Sequence, residues 1–378
     1  MKKTHSGALT AIIFLSLILP VKVYAAPNNS AEAVILVHAE TGQILFSENA
    51  DSKMLIASTT KIMTALVVLD NCDPDEMVKI LPEYTNVEGS SMYLKAGESY
   101  SVRDLLYGML LVSGNDAATA LAFHCAGSIE AFAELMNVKA REMGLQNSSF
   151  KNPHGLDADG HYSSAEDLAT ITCEAMKNEL FAEIVSTKTY KVGDQTYMNH
   201  NKLLWNYAGC LGIKTGYTIA AGRSLVSCAE RNGLKLICVT LSDPDDWDDH
   251  KKLYDWAFEN FEYKRVLPMG SICEIPVISG EKETVGVFAQ ADCRILVNKN
   301  AKLAFSLELP DFVYAGIKAG ECAGRAFVTA DGEVIGEFPL NYASDVELAD
   351  NAELSAWERI KRAWFFVNRY GFVFEGRE

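Results

Sequence analysis

Several kinds of chemistry are excluded by what this 378-residue chain lacks. It has no excess of positive charge: 34 lysines and arginines stand against 50 aspartates and glutamates, for a net charge of −16. A nucleic-acid binder draws much of its affinity from neutralising phosphates, so an acidic chain is set apart from that class. There is no HExxH among its seven histidines and no CxxC among its nine cysteines. The usual zinc spacings are therefore missing, and no metal or other cofactor is expected. The cysteines, at 72, 125, 173, 210, 228, 238, 273, 293 and 322, stand singly, several inside apolar strings such as Leu236-Ile237-Cys238-Val239. They read as buried thiols used as small hydrophobes, an odd number of them leaves at least one unpaired, and the pattern hints at a source with little oxidising machinery. Beyond the N-terminus no apolar run approaches the roughly 20 residues that span a bilayer. There is no repeat of solenoid length and no low-complexity tract.

What is present is enough to build a core. Apolar types make up 49% of the residues and the mean hydropathy is +0.02, and the length suggests about two domains. Lys2 and Lys3 precede an apolar stretch over 8–19 that Pro20 interrupts, and Val23-Tyr24-Ala25 supplies small residues at the spacing a signal peptidase reads. Residues 1–25 are thus expected to be a signal peptide cleaved after Ala25, and the mature protein to act outside the cytoplasmic membrane. Loss of the leader's lysines makes the remainder more acidic still.

Residues 33–46 read as a hairpin, and 58–69 as a helix whose opening Ser/Thr group suits N-capping. Ser101-Val102-Arg103-Asp104 is a capping-box pattern that starts another helix, expected to stop near Ser113-Gly114. Alanine-rich helices follow over 115–125 and 128–143, with Gly127 and Gly144 as stops, and Ser163 paired with Glu166 is expected to cap one more. After Lys188 strands take over. Those over 222–229 and 234–241 flank an Asn232-Gly233 turn, and 247–261 returns to helix. Strands at both ends around a helical middle predict an α+β domain over 31–262, one sheet covered by helices. Short β-branched strings over 272–278, 285–289, 294–297, 327–329 and 334–338, with an Asp331-Gly332 turn, predict a small all-β domain over 265–343.

Three short motifs carry chemistry. Ser58-Thr59-Thr60-Lys61 puts a hydroxyl and an amine one turn apart at a helix start. A serine is a weak nucleophile until a base takes its proton, and a lysine serves as that base only if burial or nearby positive charge lowers its pKa. The helix N-terminus disfavours a protonated lysine and offers N–H groups to an oxyanion. Two other SxxK strings, starting at Ser148 and Ser279, read as loop and turn. Ser113-Gly114-Asn115 lies at a junction between helices where a hydroxyl and an amide can project into a cleft. Lys214-Thr215-Gly216 reads as a strand, with Gly216 leaving room for a ligand backbone alongside.

SxxK, SxN and KTG in that order resemble the signature of the penicillin-interacting serine enzymes, penicillin-binding proteins and class A β-lactamases alike. Ala57 to Ala65, Ser113-Gly114-Asn115-Asp116, Asn152-Pro153-His154-Gly155-Leu156 and Lys214-Thr215-Gly216-Tyr217-Thr218 look more specifically like the low-molecular-mass penicillin-binding proteins that are serine-type D-alanyl-D-alanine carboxypeptidases. The resemblance implies a β-lactamase/transpeptidase-like fold over 31–262. It also implies a peptidoglycan stem peptide ending in D-Ala-D-Ala as substrate, and β-lactam antibiotics as covalent inhibitors. Carried over, Ser58 is the nucleophile and Lys61 its base, Ser113 relays a proton to the leaving amine, and Asn115 holds Lys61 and the substrate amide. Lys214 supplies positive potential, Thr215 helps bind the terminal carboxylate, and the N–H groups of Ser58 and Tyr217 form the oxyanion hole. The substrate backbone is to lie along Lys214, Thr215, Gly216, Tyr217 and Thr218 as an added strand. The chain departs from the family at Ile56, often proline, and at Leu211, often aspartate, which puts local loop geometry in doubt. A β-lactamase would need a carboxylate to activate the deacylating water, and Asp157, Asp159 and Glu166 are the candidates; an endopeptidase or a non-catalytic peptidoglycan-binding relative are further alternatives.

In the tail, Trp357, Ile360, Trp364 and Val367 fall on one helical side, with Arg359, Lys361, Arg362 and Arg369 around them. Residues 351–378 are expected to form an amphipathic helix that anchors the protein to an anionic membrane surface, at the outer face of the cytoplasmic membrane. The β-rich domain would then act as a pedestal.

Overall fold

The computed structural model describes residues 27–349 apart from Ala291. The leader expected over 1–25 and the anchor expected over 351–378 lie outside the described residues.

The chain begins with a hairpin, β1 (Ala33–His38) and β2 (Ile44–Glu48), and a 3-10 turn over Ala57–Thr60 that leads into α1 (Lys61–Asn71). A small ribbon of β3 (Met77–Lys79) and β4 (Ser99–Ser101) precedes α2 (Val102–Leu111), α3 (Asn115–Ala126), α4 (Ile129–Glu142), α5 (Ala165–Ala175) and α6 (Glu179–Ser186). Then come a second ribbon, β5 (Thr189–Val192) with β6 (Gln195–Met198), a single turn α7 (Leu203–Asn206), β7 (Cys210–Thr218), β8 (Gly222–Arg231), β9 (Leu234–Leu241) and α8 (Asp246–Asn260).

Strands from both ends of this segment form one antiparallel sheet ordered β2-β1-β9-β8-β7. Its centre is covered on both faces, which explains why β1 is apolar without alternation. Ile35 and Val37 sit opposite Val239 and Ile237 and join the core beneath α1–α6, whereas Val34, Leu36 and Cys238 face Leu253, Tyr254 and Ala257 of α8. Each such side chain withdrawn from water contributes about 1.5–3 kcal/mol before entropy is counted. Helix α1 is buried all round from Lys61 to Val68, as a helix enclosed by other helices should be.

Local signals account for most boundaries. Ser101 Oγ accepts from Asp104 N at 3.0 Å and Ser128 Oγ from Ala131 N at 3.1 Å, while Gly127 ends α3 with φ +80°. Asn232 and Gly233 take φ of +53° and +77°, the pair of positive values that a two-residue hairpin needs. Two expected caps are corrected. The hydroxyls before α1 make no side-chain cap; Thr59 Oγ1 instead donates to Ile56 O at 2.6 Å. Helix α5 is capped by Ser164, whose Oγ accepts from Asp167 N at 3.1 Å, and not by Ser163 with Glu166; Ser163 Oγ lies 2.7 Å from Ser148 Oγ instead.

The second, all-β domain opens with β10 (Phe261–Leu267), followed by β11 (Gly270–Ile278), β12 (Thr284–Ala289), β13 (Cys293–Asn298), β14 (Leu303–Glu308), β15 (Val313–Tyr314), β16 (Cys322–Ala330) and β17 (Glu333–Tyr342). Six strands, ordered β14-β16-β17-β12-β11-β15, enclose a core that includes Val277, Val287, Ala326 and Leu340, while β10 pairs with β13. Strand β10 continues straight from α8, so the change of structure comes at Phe261, inside the stretch read as helix. Leu296 of β13 packs in the same apolar cluster as Leu236 and Tyr254, and the Tyr263 ring lies 4.6 Å from that of His38. No helix among the described residues is long and apolar enough to cross a membrane.

Candidate active site

The 3-10 turn before α1 is shaped by Ala57, whose φ of +45° reverses the chain one residue before Ser58. Ser58 is half-buried at the mouth of the helix, and its N–H has no hydrogen-bond partner among the described residues. Lys61 is the first α-helical residue and is fully buried. Its Nζ lies 2.9 Å from Ser58 Oγ, 2.7 Å from Asn115 Oδ1 and 2.6 Å from the carbonyl oxygen of His154. Two of these partners only accept, and the third is a hydroxyl that can donate. A neutral amine has two N–H groups and one lone pair, which is the complement of that set. Burial, then the nearby charge of Lys214, push Lys61 well below the usual lysine range, with Asp116 acting the other way.

The His154 carbonyl belongs to the loop over 152–156. Asn152 Oδ1 accepts from His154 N at 3.3 Å and Gly155 N at 2.7 Å, and Thr64 Oγ1 donates to Pro153 O at 2.6 Å, which fastens the loop to α1. Gly155 has φ +87°, and a Cβ there would stand 1.9 Å from Ala57 O and 2.8 Å from Thr60 Oγ1. His161 Nδ1 accepts from Lys151 N at 3.1 Å, so its proton sits on Nε2 and is directed at Thr60 Oγ1, 2.9 Å away. Burial keeps His161 neutral, at about 4.

Ser113, Gly114 and Asn115 form the expected junction between α2 and α3. Ser113 has φ +63°, is 5% exposed, and its hydroxyl has no hydrogen-bond partner among the described residues. Asn115 Nδ2 donates to Glu88 O at 2.6 Å, which turns Oδ1 toward Lys61. Asp116 holds the facing loop: its carboxylate accepts from Ser91 Oγ at 2.7 Å, Met92 N at 2.8 Å and Leu94 N at 3.1 Å.

Strand β7 is the outer strand of the sheet and runs beside Ser58. Lys214 is 1% exposed, its Nζ donates to Thr215 O at 2.9 Å, and burial lowers it to about 7. Gly216 departs from the expected role. A Cβ there would meet Ile56 O at 3.1 Å and Ser58 N at 3.2 Å, so the absent side chain makes room for the turn that bears the serine. Thr215 is half-buried and its hydroxyl has no hydrogen-bond partner among the described residues, while Tyr217 is 66% exposed. Thr218 Oγ1 donates to Asp157 Oδ1 and accepts from Ala221 N, both at 3.0 Å, so it ties the hairpin to the 152–157 loop. Hydrogen bonds thus gather Ser58, Lys61 and Asn115, and close packing adds Gly216. None of Asp157, Asp159 and Glu166 hydrogen-bonds to Ser58 or Lys61, and Asp159 and Glu166 are exposed.

A serine and a buried lysine in contact, an amide fixed on the lysine and an open sheet edge thus lie together. The D-alanyl-D-alanine carboxypeptidase family profile matches residues 21–245, and that of the penicillin-binding protein 5 C-terminal domain matches 261–348. The chain belongs to the D-alanyl-D-alanine carboxypeptidase family. It is a low-molecular-mass penicillin-binding protein of the serine carboxypeptidase kind. The D-alanyl-D-alanine carboxypeptidase DacF of Bacillus subtilis is 31% identical over 85% of this chain and 87% of its own. DacC of Escherichia coli is 34% identical over 85% and 86%. Among solved structures, penicillin binding protein 5 of Haemophilus influenzae superposes with a TM-score of 0.75 at 33% identity, covering 85% of this chain and 99% of its own. The Streptomyces K15 DD-transpeptidase, at 34% identity and a TM-score of 0.60, covers 62% of this chain and 99% of its own.

Sequence reasoning missed three contributors to this carboxypeptidase's site. The His154 carbonyl has no side-chain signature. Asp116 directly follows SxN, where an acid is a visible signal, and His161 stands alone in the sequence.

Proposed function

We propose that Ser58 attacks the carbonyl carbon between the two terminal D-alanines of a peptidoglycan stem pentapeptide. Lys61, in its neutral form, takes the hydroxyl proton as the new C–O bond forms. The N–H groups of Ser58 and Tyr217 receive the developing oxyanion. Collapse breaks the C–N bond, Ser113 passes a proton to the departing D-alanine amine, and an acyl ester on Ser58 remains for water to hydrolyse. Asn115 orients Lys61 and the substrate amide. Lys214 and Thr215 bind the terminal carboxylate, and the main chain of Gly216, Tyr217 and Thr218 pairs with the peptide as an added strand. The observation that carries this reading is the set of partners around Lys61 Nζ, two acceptors and one hydroxyl within 2.9 Å. A β-lactam acylates the same serine. Among the described residues no carboxylate hydrogen-bonds to Ser58 or Lys61, which favours slow release of that adduct over β-lactamase turnover. Incubation of the purified protein with a pentapeptide stem and, separately, with benzylpenicillin should release D-alanine and leave the antibiotic largely unhydrolysed. Rapid penicillin turnover without D-alanine release would overturn the assignment in favour of a β-lactamase.

The two lysines set the pH dependence. Acylation uses neutral Lys61 and protonated Lys214, so kcat/KM rises with pH as Lys61 loses its proton, below the usual lysine range, and declines above about 7 as Lys214 loses its own. Lys214→Arg, which stays charged, should move the alkaline decline upward. A kcat/KM flat between about pH 6 and 9 is incompatible with this pairing of roles.

The domain limits and location form part of the same proposal: a cleaved leader over 1–25, a catalytic domain over 31–262, a β pedestal over 265–343, and an anchor over 351–378 that holds the enzyme on an anionic membrane surface. The opposed charges of the tail and the rest of the chain support it. Deleting 351–378 should move the protein from the membrane pellet to the soluble fraction; unchanged sedimentation would remove the anchor from the scheme.

A further inference from the structure

We propose that Cys72 and Cys125 are a disulfide-forming pair that can tie the far end of α1 to the far end of α3. Cys72 is the C-cap of α1 and Cys125 the penultimate residue of α3, and the two helices pack together. Independent contacts hold the same two stretches of chain side by side. His124 Nε2 lies 2.9 Å from Glu76 Oε2, and the rings of Tyr84 and Phe123 are 4.9 Å apart. At the other end of the same two helices Lys61 Nζ meets Asn115 Oδ1 at 2.7 Å, so α1 and α3 run side by side from their first residues, and Cys72 and Cys125 leave them as neighbours that each act on the other's thiol. Both are half-buried against the main core, within reach of a small reagent. The neighbouring Cys72 thiol lowers the pKa of Cys125, which makes Cys125 the better nucleophile of the pair.

The oxidant is a small-molecule disulfide such as oxidised glutathione. The Cys125 thiolate attacks one of its sulfurs, the reagent's S–S bond breaks, and a mixed disulfide forms as one glutathione leaves with the Cys125 proton. Cys72 then attacks the Cys125 sulfur, the protein S–S bond forms, and the second glutathione leaves with the Cys72 proton. Two protein thiols are oxidised and one glutathione disulfide is reduced. The near ends of the same helices carry Lys61 and Asn115, so the bond would constrain the scaffold of the active site from behind while touching none of its polar groups. Chemistry of this kind suits an oxidising surrounding and is lost in a reducing one.

The full-length protein, purified in the reduced state, is incubated with oxidised glutathione, remaining thiols are alkylated, and the protein is digested without reduction and mapped by mass spectrometry. A peptide pair joined through Cys72 and Cys125 is expected, lighter by two hydrogens than the separate thiol peptides. Exposed Cys322 carries a glutathione adduct and reports that the reagent has acted. In Cys72→Ser, Cys125 should retain the adduct that the unaltered protein resolves. The proposal is overturned if, in protein with Cys322 converted, Cys72 and Cys125 are recovered alkylated or as lasting glutathione adducts, or if either is joined to another cysteine.

Discussion

Ser58→Ala loses covalent labelling by a fluorescent penicillin, and its rate of D-alanine release falls by about 10⁴-fold or more. The expectation follows from the economy of the site. Among the described residues the Ser58 hydroxyl makes one hydrogen bond, to Lys61, and the lysine keeps two further oxygen partners when the hydroxyl goes. The substitution therefore removes the reacting atom and little else, with stability expected to stay within about 0.5 kcal/mol because no large group is deleted. Gel fluorescence after penicillin treatment and a urea titration separate the two effects. Labelling retained in Ser58→Ala at equal folding would place the nucleophile elsewhere.

Gly155→Ala is expected to be the most damaging single-methyl change near the site, costing about 3 kcal/mol or more. Its φ of +87° already disfavours a side chain, and the added carbon would sit 1.9 Å from Ala57 O. That neighbour is main chain in the turn bearing Ser58, so relief requires the turn and the loop to move apart. The residue before Gly155 supplies the carbonyl that Lys61 holds at 2.6 Å, and a displacement of even 1 Å there should slow acylation by about 100-fold. Gly144→Ala is the control: its φ is +73° but nothing lies within 4 Å of the new Cβ. It should cost about 1 kcal/mol and leave acylation unchanged. Equal unfolding midpoints and acylation rates for both variants would show that the Gly155 contact is not a constraint.

What the sequence made legible were features whose cause is local. Ser101 caps where a hydroxyl precedes a helix, Asn232-Gly233 turns where two positive φ values are needed, and SxxK reads as a serine and lysine in contact because three residues make one helical turn. The α+β arrangement followed from strands at both ends of a helical middle. Features whose cause is distant were not legible. Gly216 looks like space for a ligand until Ile56 and Ser58 are brought against it, and Ser163 looks like a cap until Ser148 is found beside it. Strand β14 carries Leu303, Ala304, Phe305 and Leu307 without the alternation that marks one buried face, and its residues are mostly exposed, while β10 hides behind helical spacing. Helix α6 did have a signal: Asn178 Oδ1 accepts from Leu180 N and Phe181 N, and an asparagine before an apolar run marks such a start.

The sharing of Leu296 and Tyr263 with the core under α8 bears on how the molecule can be divided. The two halves are glued, not strung. Bending them apart, or cutting the chain between them, would wet Leu296, the Tyr263 face against His38 and the underside of Leu236, an oily scar worth several kcal/mol. In this chain one apolar cluster serves both halves, so a cut at Phe261 would run through a core and not through a linker.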